Sequence, residues 1–340
     1  MNNKILIVHH TDADGHCAAA IVRFELTNPT HIVSYYAYDY NGAINTEVVE
    51  DSIVYLVDIS MNEHVEKFIA ECKSKNCTIV HIDHHKTSVE YYKEHGDVGY
   101  VYFVQDENDD RNGPISGTLL TFIYTCMTPE MKKDPMNVEF DLTEMRDHLI
   151  FNNDTDKEYR VPFIVRLVDD HDVWRHKLSE SKPFSYAYKR MPKDLIDPEE
   201  DDFWECIYND NHRLLFTAIQ SGERYLQDEN ERNEIMRGIG GFVTDIFGNN
   251  CYCINSLFAG SDQFGDEYES HDMVCRFAYD GKGWTYSLYS ANENVDCSQI
   301  AKEYGGGGHK GAAGFRLGYS LWNEFPKKSF WEKFKDLFKK

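Results

Sequence analysis

With 340 residues, 41% of them hydrophobic, the chain is long enough for about two domains with buried cores. Its 58 acidic against 35 basic residues leave a formal net charge of -23, which excludes long-range attraction to nucleic acid or anionic membrane. Any phosphate-bearing partner must therefore be gripped by local chemistry.

In chain order, "KILIV" (4–8) is a short, β-branched apolar run, followed by a polar turn and then "HCAAAIVRFEL", whose Ala and aliphatic spacing predicts a helix. The same grammar recurs in "IVYLVDIS" (53–60), a helical "EHVEKFIAECKSK", and "TIVHIDHH" (78–85). Alternating buried strands and helices predict an α/β fold, a mostly parallel sheet with helices on both faces. In such sheets ligands gather outside the carboxyl ends of the strands. All three segments end there in a polar cluster: "HHTDADG", "DIS" and "DHHKTS". "PFIVRLVDDHDVWRH" (162–176) reads as a fourth, an apolar strand closing in carboxylates.

Between Ser179 and Phe203 three prolines and an acidic run read as a connector. Beyond it, "DMVCRFAYDGKGWTYSLYSANENVDCSQIAKEYGGGGHKGAAGF" reads as a hairpin, a helix and a glycine-rich loop. The expected organisation is a catalytic, metal-binding domain at 1–178, a connector at 179–215, a smaller α/β substrate-binding domain at 216–318, and a basic, helical tail at 319–340. That tail is amphipathic and is expected to cover a core edge rather than to anchor in a membrane.

The nine cysteines, among them Cys17, Cys72, Cys206 and Cys297, are scattered and never form a two-residue-gap pair, so buried free thiols are expected. The opening "MNNKILIVHHTDADG" reaches His and Asp before a signal-peptide apolar region is complete, and no run approaches the roughly eighteen apolar residues of a membrane span. A soluble cytoplasmic protein without a membrane partner is the expectation.

His10, Asp12 and Asp14 occupy alternate positions, so in an extended loop their side chains point the same way. Unpaired adjacent carboxylates repel, and a divalent cation removes that penalty. Imidazole with carboxylate suits Mn, Zn or Fe, and a carboxylate-rich set leans towards Mn or Mg. Blander roles exist for each residue: Asp12 or Asp14 as a helix cap, Asp58 as a turn former, His84 and His85 as hydrogen-bonded structural histidines. Convergence of four such clusters at one sheet rim favours a metal site.

Taken together, "HTDADG", the isolated Asp58, "DHH" at 83–85, the acidic motif at 169–172 and "GGGGHKGAAGF" at 305–315 resemble the ordered motifs of the DHH phosphoesterase superfamily with its DHH-associated C-terminal domain. The arrangement is most similar to the nanoRNase and oligoribonuclease branch, and more distantly to RecJ-type exonucleases and cyclic-dinucleotide phosphodiesterases. The resemblance implies an interdomain active site with two divalent ions, usually Mn, with Mg, Co or Fe as alternatives. His10 and Asp12 would hold one ion, Asp14 and His84 the other, and Asp58 would bridge them. The fourth motif would add a carboxylate to the second ion, with Asp170 favoured over Asp172 and Asp169. Asp83 would orient a histidine, and His85 would contact the substrate phosphate or leaving group. Lys86 would add positive charge or be merely solvated.

In the second domain the glycine run strips the surface of side chains, so backbone N–H groups can approach an anion and the following small residues can open a helix; a flexible linker is the alternative. The resemblance implies that Gly306, Gly307, Gly308 and His309 grip a distal phosphate. Where many such relatives carry an arginine, "YSLYS" shows Tyr289, which can stack on a base or donate a hydrogen bond; Arg276, Lys310 or Arg316 would have to supply the missing charge. The expected activity is two-metal hydrolysis of short oligonucleotides or dinucleotides to mononucleotides, with no long duplex partner. The alternatives are a cyclic-dinucleotide phosphodiesterase, an adenosine 3',5'-bisphosphate phosphatase or a polyphosphatase. A nucleotide binder without activity is disfavoured because none of the expected ligand positions is empty. A homodimer stays open.

Overall fold

The computed structural model describes residues 3–95, 101–104, 115–127, 132, 161–199, 202–208, 212–257, 260–308 and 310–322. The chain divides into two compact units, Met1–Tyr225 and Leu226–Lys340.

The first unit opens with β1 (Lys4–His10), α1 (Ala13–Leu26), β2 (Ile32–Tyr38), β3 (Ile53–Val57), α2 (Glu63–Ser74), β4 (Thr78–Asp83), α3 (Lys86–His95) and β5 (Val101–Val104). Its strands form a five-stranded sheet in the order β2-β1-β3-β4-β5, parallel throughout. Because strand side chains alternate, Ile5 and Ile7 of β1 enter the core built with α1, α4 (Gly117–Cys126) and α5 (Phe163–Asp172), while Leu6 and Val8 enter the core built with α2 and α3. A strand buried on both faces must be apolar throughout, which is why "KILIV" and "IVYLV" show no polar alternation. The expected doubly covered parallel sheet is thus present.

Register positions the site. His9 pairs with Val57, and Val57 with Ile82. One residue farther on, His10, Asp58 and Asp83 emerge side by side at the carboxyl ends of three adjacent strands. β2 and β3 flank β1 on opposite sides, the topology that leaves a crevice at strand ends.

Two expectations are corrected here. "FIVRLVDDHD" is helix α5, not a strand. Ile164, Val165, Leu167 and Val168 are buried at helical spacing, and the run packs on α1 and α4 rather than pairing with the sheet. The stretch 179–215 is not a free connector either. It forms α6 (Ser181–Tyr188), α7 (Lys193–Ile196), α8 (Asp202–Tyr208) and the start of α9 (His212–Gly240), and Phe184, Phe203, Trp204 and Leu215 enter the first core. Its prolines and acidic residues separate short helices, and the indole N–H of Trp204 donates to the Ile196 carbonyl at 2.8 Å.

The second unit holds β6 (Gly241–Ile246), β7 (Asn249–Asn255), α10 (Glu267–Ser270), β8 (Met273–Tyr279), β9 (Trp284–Tyr289), α11 (Cys297–Glu303), β10 (Gly307–Gly308) and β11 (Ala312–Leu317). They form a six-stranded sheet, β10-β11-β9-β8-β7-β6, antiparallel except between β7 and β8. The expected hairpin and helix are present. The small residues after the glycine run, however, start strand β11 instead of a helix: Phe315 turns inward and stacks on Tyr286 and Tyr304, which a strand's alternation permits. The cysteines whose side chains are described are free thiols. No described helix is long and apolar enough to cross a membrane, and most of the expected tail, 323–340, lies outside the described residues.

Candidate metal centre

β1 delivers His10, and Asp12 then serves two purposes. It is the extended N-cap of α1, where its Oδ1 accepts the Gly15 N–H at 3.0 Å, while its Oδ2 lies 3.0 Å from His10 Nδ1. Capping and site chemistry are two oxygens of one carboxylate. Asp14 departs from the alternate-position expectation, because α1 has begun by then. It is buried in the first turn, and its two oxygens accept the N–H groups of Gly117 (2.7 Å) and Thr118 (2.8 Å) at the start of α4.

Asp58 follows β3 at φ 55, in the left-handed region that disfavours side chains. Its N–H donates to Ile82 O at 2.9 Å. Its Oδ2 lies 3.5 Å from His10 Nδ1 and its Oδ1 3.5 Å from His84 Nε2. His84 Nε2 is also 3.7 Å from Asp14 Oδ2 and 3.5 Å from Asp172 Oδ2. Among the described residues three overlapping donor groups result, His10 with Asp12 and Asp58, Asp14 with His84 and Asp172, and Asp58 with His84 and His85, whose Nδ1 lies 3.7 Å from Asp58 Oδ1; the first two share no residue. One oxygen of Asp58 faces each of these two.

The fourth-motif carboxylate that reaches His84 is Asp172, the alternative in the sequence reading, and not the favoured Asp170. At about 100° per helical residue the two lie roughly 200° apart, so one helix cannot aim both at the same place. Asp170 instead accepts from the backbone N–H groups of Lys177 (2.9 Å) and Leu178 (3.1 Å) and from the Ser181 hydroxyl (2.6 Å). Asp169 accepts from Ser116 N–H and pairs with Arg175 at 2.7 Å.

Burial pulls His10 down, yet the carboxylates of Asp12 and Asp58 outweigh it and raise the ring to about 10. Asp12, though desolvated, is held at about 2 by His10. Burial and then the neighbouring Asp58 push Asp14 up to about 7, and burial and Asp14 push Asp172 up to about 9. Burial also opposes protonation of His84, but Asp58 and Asp14 raise it well above the ordinary histidine value. Apart from the ion-pair approaches within the cluster, the buried Asp58 Oδ1 and His10 Nδ1 make no hydrogen bond. Crowded carboxylates with orphaned buried donor atoms fit divalent cations, and an all-oxygen and imidazole set without thiolate suits Mn, Mg, Fe or Co.

Beside these groups, the fully buried Asp83 holds His85 Nδ1 at 2.7 Å. Burial lowers the His85 ring's proton affinity, but Asp83 more than compensates. Lys86 is exposed and faces Glu90 at 3.7 Å.

In the second unit, Gly306 N–H closes the end of α11 by donating to Ala301 O at 2.8 Å, after Gly305 at φ 78. A Cβ on Gly306 would lie 2.1 Å from Gly314 O. Gly307 and Gly308 pair with Gly314 and Ala313. Much of the glycine run thus serves capping and close strand approach. Tyr289 ends β9 and packs against Phe264, Arg276 reaches Ser287 and Leu257 O, and Arg316 pairs with Asp280, leaving Lys310 exposed. His309 lies outside the described residues.

Sequence reasoning missed Ser116, Gly117 and Thr118. "SGT" ahead of the apolar "LLTFIY" was the available signal, a Ser N-cap, and Ser116 does accept from Leu119 N–H. A Cβ on Gly117 would lie 2.9 Å from Asp58 Cβ and 3.0 Å from Asp14 Oδ2.

Residues 4–144 match the DHH family, N-terminal domain. The match covers 141 of the 340 residues, all of them within the first unit. The chain is 24% identical over 293 residues to oligoribonuclease NrnB of Bacillus subtilis (strain 168), covering 82% of this chain and 62% of that protein. It is 25% identical over 169 residues to uncharacterized protein R106 of Acanthamoeba polyphaga mimivirus, covering 45% of this chain and 37% of that protein. The chain therefore spans less than two thirds of the length of both relatives. Among solved structures, the DHH domain of PF0399, a member of a family of ribosomal proteins, aligns over 99% of this chain and 87% of its own at 15% identity, with a TM-score of 0.51. That likeness is one of fold. Asp83, His84 and His85 lie within the matched residues.

Proposed function

We propose that the protein is a metal-dependent phosphodiesterase that hydrolyses short oligonucleotides or dinucleotides to mononucleotides. The observation that carries this reading is Asp58, whose two carboxylate oxygens face two separate His/Asp groups. His10, Asp12 and Asp58 would hold one divalent ion, and Asp14, His84, Asp172 and Asp58 a second, with Mn the first candidate. Such ions, when bound, lower the pKa of a water and neutralise phosphoryl oxygens. The chain's own residues do the rest. Asp12 and Asp14 are fixed by the starts of α1 and α4, so the donor groups are held before substrate arrives. Asp83 fixes Nδ1 of His85 and leaves its Nε2 to touch a phosphate oxygen or to give a proton to the leaving oxygen.

A short substrate is supported by the similarity to an oligoribonuclease and by the net charge of -23, which repels a long polyanion beyond the site. The test is mononucleotide release from a diribonucleotide, a cyclic dinucleotide and inorganic polyphosphate in parallel, with Mn. The expected result is turnover of the linear diribonucleotide and its loss by more than about a thousandfold in Asp58→Asn, roughly 4 kcal/mol of transition-state stabilisation. Mn-saturated protein inert on every phosphodiester would overturn the reading.

A further inference from the structure

The turn after Asp172 is held in an unfavourable backbone conformation. Trp174 has φ 53 and His176 φ 47, two bulky residues in the left-handed region within three positions. Buried groups enforce it. The N–H groups of Arg175 and His176 donate to Asp170 O at 2.9 and 3.2 Å, and those of Lys177 and Leu178 to the Asp170 carboxylate. The Arg175 guanidinium is clamped by the fully buried Asp169 at 2.7 Å. Both carboxylates that a ligand reading could have used are thus spent on shaping this turn.

The turn displays Trp174. At 64% exposure it is the most exposed large hydrophobic side chain described. His171 backs its indole in a stacked arrangement with centroids 6.1 Å apart, and His176 meets it edge-on at 5.1 Å. Two residues earlier in the chain, Asp172 lies 3.5 Å from His84. The left-handed φ of Trp174 closes α5: Arg175 N–H reaches Asp170 O and Trp174 N–H donates to His171 O at 3.1 Å, the bond pair that ends many helices. That helix end presents an exposed aromatic face, flanked by two histidine rings and two positions from a candidate ligand, and so offers what a base requires, a flat π-surface beside the phosphate.

We infer that Trp174 is a nucleobase-stacking platform, on which the base adjoining the scissile phosphate rests. This deepens the phosphodiesterase reading and rests on it for the position of the phosphate, but stacking is measurable without turnover. The test begins with tryptophan fluorescence of the wild type and Trp174→Phe, titrated with adenosine monophosphate and with ribose 5-phosphate. The nucleotide should quench the wild type strongly and Trp174→Phe much less, while the sugar phosphate quenches neither. Equal quenching of both proteins would overturn the inference whether or not the protein is a hydrolase. With a diribonucleotide, Trp174→Ala should raise KM by about ten- to a hundredfold while kcat stays within about threefold, and Trp174→Phe should recover most of the loss. Mn affinity should remain at the wild-type value in both variants. Loss of Mn binding in Trp174→Ala would mean that the residue only supports the turn, and would equally overturn the proposal.

Discussion

Gly117→Ala tests whether the start of α4 sets the metal geometry. The added Cβ would sit 2.9 Å from Asp58 Cβ and 3.0 Å from Asp14 Oδ2, inside contact distance of two candidate ligands at once. Neither can retreat easily. Asp14 is gripped by Gly117 N–H at 2.7 Å and Thr118 N–H at 2.8 Å, and the Thr118 hydroxyl donates to the Asp14 carbonyl at 2.8 Å. Overpacking a buried site costs about 1–3 kcal/mol, while alanine is favoured over glycine in a helix by about 1 kcal/mol. The net loss of stability is therefore roughly 0–2 kcal/mol, a fall in Tm below about 8 °C for a unit of this size. Function should suffer more. Disturbing the groups that orient metal ligands typically costs about 10–100-fold in affinity or activity. Calorimetric Mn titration beside thermal melts in EDTA separates the two effects. The expected outcome is weakened Mn binding and turnover with a small change in metal-free Tm. Wild-type Mn affinity in Gly117→Ala would refute the claim that this glycine keeps room for Asp14 and Asp58.

The adjacent histidines should separate: His84→Ala is expected to lose Mn affinity, whereas His85→Ala keeps it and loses about 10²–10⁴ in kcat; equal metal loss in both variants would contradict the division. Asp172→Asn should weaken Mn binding by about tenfold or more, whereas Asp170→Asn should leave Mn affinity near wild type and loosen the 173–178 turn, read as faster amide exchange at Lys177 and Leu178. The reverse pattern would restore Asp170 as the ligand.

How far the site could be read from sequence depended on how local its determinants are. His10, Asp58 and the Asp83–His85 triplet sit at or just past the ends of largely apolar runs on three neighbouring parallel strands, so periodicity placed them at one rim, while their roles came from the family resemblance. Asp172 was obscured because "FIVRLV" is short enough to suit strand or helix, and only packing against α1 and α4 decides. Once the segment is helical, the angular position of each carboxylate changes and Asp170 turns away. Gly117 had no local signature as a site residue, since its partner Asp14 is 103 positions distant. The glycine run was legible as close backbone approach, but capping of α11 and pairing with β11 need glycine as much as an anion does.

The same crowding that fits the centre to cations should destabilise the protein without them, and its sign can be worked out. Asp14, raised from 3.8 to about 7, and Asp172, raised to about 9, keep their protons in the folded state after the unfolded chain has released them. His10, raised from 6.5 to about 10, does the same. Above about pH 7, where the lowered His9, His16 and His81 are without a ring charge in either state, these groups leave the folded protein holding more protons than the unfolded, so metal-free stability falls as pH rises from there to about 9. Asp12 and Asp83, both lowered, act only below it. Asp58→Asn removes the charge that raises Asp14, and asparagine tolerates the left-handed conformation at φ 55. The same charge holds protons on His10 and His84, so in EDTA the metal-free stability of this variant should fall less steeply than the wild type's between about pH 7 and 9. Saturating Mn should stabilise the wild type more than the variant, because ions bound only by the folded state add stability according to their affinity. An unchanged pH slope together with equal stabilisation by Mn would mean that Asp58 is satisfied by the protein alone, and the case for it as the shared ligand would fall with that result.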